Sequence, residues 1–446
     1  MLTNNSKLTP SMKTGVNLKV FMLASLYIIL PSYFAFEIGG LPSFTGSRVV
    51  LLLSLILLFV SSRRLTVIHS RLFIAVLVYA IGIIVVDFTH FSDAYSYSVN
   101  DILAIILENI ILLVVVVNVV KTERALDSFI NLMVGTSAIL GVFAVIEFAT
   151  GFNVFHILTT STRDFLQSSY DRLGMRRSAS GFGHSVYYAV YCMGMIPFCT
   201  FCYERSKNSK YIVYTAINLL GVVVSGARAQ LVFTLILLFL MYRKETKEFR
   251  HKYNKYIFIG IALIIIAVAV IPLFRVYVIQ NIISILSNLG FNFSVSDAFG
   301  VNANGLYSRT VQLSGIEWVK NQGKMWTGLG TASAYRGLVQ YYYADTGWQT
   351  TSSIDIGYMS WFLNHGLVGV IVNLVMYVSI VLFLHNKNKH QDKKTLYNCF
   401  QWFFVGYIMN LFTTTGVGKM LWIVIGLLFS FERISRRQQS EQSFEV

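Results

Sequence analysis

Apolar residues run through this chain in long unbroken stretches rather than alternating with polar ones. A helix needs about 20 apolar residues to cross a hydrocarbon layer of about 30 Å. Twelve segments follow that pattern, near 20–38, 43–62, 72–88, 101–120, 127–149, 184–203, 211–226, 229–242, 256–273, 356–385, 397–413 and 416–433. The pattern predicts an all-α fold, a polytopic transmembrane helical bundle of about 12 spans forming one membrane domain over residues 1–446. The first run, from about Val20 to Phe36, is followed by no small-residue cleavage site and reads as a span rather than a signal peptide.

Composition agrees. The chain is 55% hydrophobic and 13% charged, with five prolines and a mean hydropathy of +0.61, whereas soluble domains carry about 25% charged residues. A disordered chain, a disulfide scaffold and an ordinary cytosolic enzyme are excluded. The net charge of +15 raises the question of nucleic acid. However, the basic residues fall in short clusters between apolar runs, as the positive-inside rule arranges them, and form no nucleic-acid footprint. With Lys7, Lys13 and Lys19 placed inside, the 36 Lys and Arg divide as 24 inside and 12 outside. Both termini are then cytoplasmic. Cys192, Cys199, Cys202 and Cys399 all lie in expected spans without metal-type spacing and read as reduced packing residues.

Two outer loops are long enough to fold, residues 150–183 and 275–353. The second holds an apolar stretch at Val276–Gly290 suited to the membrane interface, a helix-like piece at Ser308–Asn321 and a Gly-rich turn at Gly328–Gly337. The outer basic residues are nine Arg to three Lys, against ten to fourteen inside. A guanidinium offers a planar fork to two oxygens, so this excess favours a phosphate-bearing substrate. In DRLGMRRSASGFGHSVYYAV (Asp171–Val190), arginines precede a Gly-rich helix start, a plausible anion site. Arg228, in SGARAQLVF (Ser225–Phe233), serves either such a site or the lipid headgroups by snorkelling. Glu108 lies mid-span with no basic residue expected beside it, and Glu147 lies near an outer end. Buried acids of this kind are the basis of a competing transporter reading.

The series RRSASGFGHSVYYAV, SGARAQLVF, SRTVQLSGIEWVKN, GLGTASAYRG and IDIGYMSWFLNHGLVGV (Ile354–Val370) resembles the O-antigen polymerase and O-antigen ligase superfamily. Its members are membrane glycosyltransferases that use undecaprenyl-diphosphate-linked glycans. The likeness covers about residues 160–385 in order. Ligases of the family carry a histidine eleven residues before the first Gly of a Gly-x-x-Gly; here Asp355 stands eleven before Gly366, so the polymerase branch fits better. Arg172 with Gly183 also matches the polymerases' Arg-x10-Gly element, whereas Arg309 is followed eleven later by Lys320, which breaks the second such element.

The resemblance implies displacement at the anomeric carbon with loss of a lipid diphosphate, in the bacterial inner membrane and facing the periplasm. Negative charge on the leaving group then needs stabilising. His90, His156, His184 and His365 are scattered along the chain and no outer cluster shows ligand spacing, so the expectation is arginine assistance without metal or cofactor. Arg176, Arg177, Arg228 and Arg309 are the expected diphosphate clamps, seconded by Arg172 and Arg336. Asp355 serves either as base for the acceptor hydroxyl or as a helix cap; Glu317 and His184 are reserves. Tyr341, Tyr342, Tyr343 and Trp348 either hold sugar rings or anchor at the interface. Implied partners are undecaprenyl-diphosphate-linked oligosaccharides and membrane lipids, with a chain-length regulator as a further candidate.

Overall fold

A computed structural model describes residues 17–36, 44–61, 65, 70–160, 171–172, 175–244, 275, 279, 305–389, 396–415 and 418–444. Long apolar runs become helices because no alternative pairs their backbone groups away from water. In chain order these are α1 (Leu18–Ile29), α2 (Gly46–Ser61), α3 (Arg71–Thr89), α4 (Phe91–Val119), α5 (Glu123–Thr150), α6 (Ser185–Ser206), α7 (Lys210–Val224) and α8 (Arg228–Lys244). After two short helices, α9 (Gly305–Gln312) and α10 (Gly315–Asn321), come α11 (Gly357–Lys389), α12 (Leu396–Asn410) and α13 (Gly418–Phe444). Local chemistry sets their ends. Thr122 caps α5 by accepting from the Ala125 amide at 3.2 Å, and Gly151, at φ 72°, closes the other end.

Five helices, α3, α4, α5, α6 and α11, are long and apolar enough to cross a membrane, and α1, α2 and α7 are shorter apolar helices. This is a helical membrane protein. The segments expected to span at 256–273 and to lie along the interface at 276–290 fall outside the described residues. α6 sits in the middle of the bundle, packed by α5, α7, α8 and α12. The four cysteines are free and buried, as their positions in spans suggested.

Two expectations change. The helical fold also carries small strand pairs: β5 (Val339–Tyr343) and β6 (Gly347–Thr351) form an antiparallel hairpin, with Tyr341 opposite Gln349. Its cause is local. Alternation buries Val339 and Tyr341 while Tyr342 is half exposed, and Gly347 takes the left-handed conformation the turn needs. Two shorter hairpins are β1 (Ala35–Phe36) with β2 (Phe44–Thr45), and β3 (Asp171–Arg172) with β4 (Met175–Arg176).

The second correction concerns Glu108. It has a basic partner: Arg48 Nε donates to Glu108 Oε1 at 2.6 Å, and Arg48 Nη1 reaches Asn100 Oδ1 at 3.4 Å. Arg48 lies in the first turn of α2. The long guanidinium stem carries its charge down to the acid. Lys419, at the start of α13, completes this buried polar group by donating to Ser47 Oγ and Leu30 O, tying α13 to α1 and α2.

Removing one partner of a buried pair strands the other charge, at a cost of about 3 kcal/mol. Glu108→Ala therefore lowers the thermal unfolding midpoint of the purified protein in detergent. The double change Arg48→Met/Glu108→Leu recovers most of the loss. A wild-type midpoint for Glu108→Ala would show that the pair contributes nothing.

Candidate functional site

The loop between α5 and α6 is held by one carboxylate. Glu147, near the end of α5 and 2% exposed, accepts from the Ala179 amide at 3.0 Å, the Ser180 amide at 2.8 Å and Asn153 Nδ2 at 3.0 Å. Arg176 Nε stands 3.8 Å from the same acid. Glu147 is thus the anchor of the arginine loop, a role that its place in the sequence did not announce. Arg176 is drawn toward it. The next arginine turns the other way: Arg177 Nε donates to Ser225 O at 3.1 Å, and the Ser178 amide to Val224 O, also at 3.1 Å. These bonds lay the loop against the junction between α7 and α8, where Arg228 is the first helical residue. His184 caps α6, its Nδ1 accepting from the Val186 amide at 3.1 Å.

The segment ahead of α11 brings the acid. Gln312, at the end of α9, takes both the Asp355 and Ile356 amides on its Oε1, at 3.2 and 3.4 Å, and gives its Nε2 to Asp355 Oδ2 at 3.3 Å. Gln312 therefore serves the backbone ahead of α11. Arg309 precedes Gln312 by one turn, on the same side of α9. The Gly357 amide donates to Leu411 O at 2.8 Å, and Tyr187 OH pairs with Thr415 Oγ1 at 3.2 Å, so the ends of α6, α11 and α12 meet here.

Electrostatics show which charges face one another. The His184 pKa lies below its ordinary value of 6.5: burial lowers it most, the Arg177 charge lowers it further and Asp355 opposes them. Burial raises the Tyr341 phenol, and Asp355 adds to the rise. Arg177, His184 and Asp355, from loops far apart in sequence, share one neighbourhood. Glu317 is exposed in the first turn of α10. The hairpin presents an aromatic ledge instead: Trp348 lies 5.5 Å from Trp318 and 5.6 Å from Tyr342, centroid to centroid. Arg172 lies on β3, opposite Met175.

Arg336 belongs elsewhere, with a second site that the linear sequence conceals. α11 breaks at Gly366, whose φ of 63° and ψ of −157° suit only glycine. The Gly-rich segment fills the break. The Leu329 and Gly330 amides donate to Leu363 O and Asn364 O at 2.8 and 2.9 Å, and the Leu367 and Val368 amides donate to Met325 O and Trp326 O at 2.9 and 3.2 Å. The approach is close: a Cβ on Gly366 would lie 2.4 Å from Trp326 O. Arg336 Nη2 donates to Leu329 O, and His90 Nε2 sits 3.1 Å from Thr327 O.

This stitching brings His365 to two acids, against the expectation that the histidines stand apart. His365 Nε2 is 3.5 Å from Asp87 Oδ1 at the end of α3 and 3.5 Å from Asp101 Oδ2 in α4. Thr331 Oγ1 reaches all three, at 2.7 Å from Asp87, 3.0 Å from Asp101 and 3.1 Å from His365. Among the described residues these are the side chains spaced to hold a metal ion. Asp87, Asp101 and His365 lie on three different helices, so no spacing in the sequence announces them.

No family model matches this chain, and no curated protein matches its sequence.

The sign of the His184 shift carries a prediction. A depressed pKa means that the native form binds fewer protons, so the cap's contribution is full above pH 6.5 and fades as pH falls through the folded value. In a histidine-selective NMR titration, Arg177→Ala raises the His184 pKa and Asp355→Asn lowers it. If neither moves it, the three groups do not share a site.

Proposed function

We propose that the chain is a polysaccharide polymerase of the O-antigen type, in the bacterial inner membrane. It spans the bilayer about 12 times with both termini cytoplasmic and works at the periplasmic face. A glycan passes from one undecaprenyl diphosphate to the non-reducing end of another lipid-linked repeat unit, and the first lipid diphosphate leaves. The observation that carries this reading is the meeting of Arg177, His184 and Asp355 at the ends of α6 and α11, with Arg228 and Arg309 on the adjoining elements.

The chemistry follows from these groups. Asp355 takes the proton of the acceptor hydroxyl as its oxygen attacks the anomeric carbon. The bond from that carbon to the diphosphate oxygen breaks, and Arg177, Arg228 and Arg309 receive the charge that builds there. Arg176 and Arg172 add positive potential from the same loop. Trp318, Tyr342 and Trp348 offer flat apolar faces to the sugar rings beyond. Below Asp355, an apolar cleft of about 200 Å3 runs between α11 and α12, lined by Tyr358, Trp361, Tyr377, Val381 and Ile408. It suits the first isoprene units of a lipid tail. Transfer to lipid A-core, the ligase reaction, would use the same clamp with a different acceptor.

One observation favours a transporter instead: the broken helix at Gly366 beside buried acids is an arrangement transporters use at their ion sites. Surface-glycan profiles of a deletion strain separate the readings. Loss of a polymerase leaves a core with one repeat, loss of a ligase leaves bare core, and loss of a flippase traps repeats inside.

In liposomes supplied with the source organism's lipid-linked repeat units, Arg177→Ala slows chain extension by about 100-fold or more. Asp355→Asn abolishes it, while Glu317→Gln extends normally. Wild-type extension by both Arg177→Ala and Asp355→Asn would overturn the assignment.

A further inference from the structure

Thr331 lies within 3.1 Å of the near oxygen of each aspartate and of His365 Nε2, and the cluster is short of protons. Two carboxylates present four oxygens, while the hydroxyl and the imidazole nitrogen bring at most one proton each. The shortage falls on Asp87. This residue is 0% exposed, and its second oxygen, Oδ2, is buried with no hydrogen-bond partner among the described residues. An orphaned carboxylate oxygen at the edge of an apolar bundle is costly unless a cation or a proton answers it.

We propose that Asp87, Asp101, His365 and Thr331 form a binding site for one divalent cation of the zinc class. Geometry and charge agree. A tetrahedral ion with bonds of about 2.1 Å separates its ligand atoms by about 3.4 Å; His365 Nε2 stands 3.5 Å from each aspartate, and all three ligand atoms lie within 4.8 Å of one another. The Thr331 oxygen, 2.7, 3.0 and 3.1 Å from these three atoms, is a fourth donor that would have to draw back slightly to join them around an ion. Two carboxylates and a neutral imidazole leave a charge of −2, which a divalent ion cancels. The donor set, two oxygens of carboxylates with one ring nitrogen, suits a borderline ion better than magnesium, which demands six near-ideal oxygen ligands.

The site is separate from the arginine group and does not rest on the glycosyl-transfer reading. It lies farther along α11, roughly 12 Å of helix from the Asp355 end. Its consequence is mechanical. α3, α4 and α11 each give one ligand and the Gly-rich turn gives the fourth, so a bound ion fastens the second outer loop to the bundle. His90 and Arg336 also bond to carbonyls of this segment, Thr327 O and Leu329 O.

The test is direct. Untagged full-length protein in nanodiscs, stripped with chelator, equilibrated with zinc and desalted, retains about one zinc per chain. Asp101→Asn and His365→Gln each weaken binding at least tenfold, and Thr331→Val weakens it less. In the wild type, zinc slows hydrogen exchange of the amides of Leu329 and Gly330, a readout that needs no variant to fold. A wild type that retains no more zinc than Asp87→Asn/Asp101→Asn, with exchange at those amides unchanged by zinc, would overturn the proposal. The two aspartates would then share a proton instead.

Discussion

A helix that breaks inside a membrane protein leaves peptide groups that must be paired there. At Gly366 the pairing is done by the Gly-rich segment of the second outer loop, which offers two amides to the carbonyls above the break and two carbonyls to the amides below it. Each unpaired group would cost several kcal/mol at membrane depth. This exchange of four hydrogen bonds fixes the depth and register of the loop. Glycine is required on both sides: a Cβ at Gly328 would lie 2.6 Å from the His365 amide nitrogen, as one at Gly366 would meet Trp326. Everything the outer loop brings to the molecule depends on this seam.

Two groups of side chains follow from it. On the seam itself, Thr331 lands among Asp87, Asp101 and His365, joining α3, α4 and α11. Beyond it, the short helices and the hairpin pack with α11 into a small core of Val311, Val319, Val339, Tyr341, Phe362 and Leu363. That core presents Gln312 to Asp355 and so sets the carboxylate near Arg177 and His184. The first loop is fixed independently by Glu147, whose carboxylate spends its acceptors on backbone amides. Arg177 and Asp355 are therefore each immobilised by a neighbour that has no contact with substrate in the proposed mechanism. Such preorganised charge stabilises a developing anion without reorganising.

The helices were the legible part of this sequence. Apolar runs of span length announce themselves, and the expected spans among the described residues overlap helices, although α1 stops at Ile29 rather than 38, α4 starts at Phe91 rather than 101 and α13 runs to Phe444 rather than 433. The start of α6 was legible too, because the Gly-rich stretch before His184 marks a helix start. What escaped was long-range. Arg48 and Glu108 are sixty residues apart, and a guanidinium's reach cannot be read from its position at a helix start. Asp87, Asp101 and His365 each look like ordinary residues near span ends. The tyrosine hairpin was hidden because its alternation is short and its aromatic residues also suit a membrane interface.

The most direct measurement addresses the seam. With the four native cysteines replaced, one pair is introduced by Met325→Cys and Leu367→Cys, positions whose backbones are joined by a 2.9 Å hydrogen bond. Mild oxidation of intact membranes should close an intramolecular disulfide between them, and the loop should then resist proteolysis. No disulfide, together with free labelling of both cysteines by a membrane-impermeant maleimide, would mean that the loop stands clear of the bundle and that neither site is assembled as described.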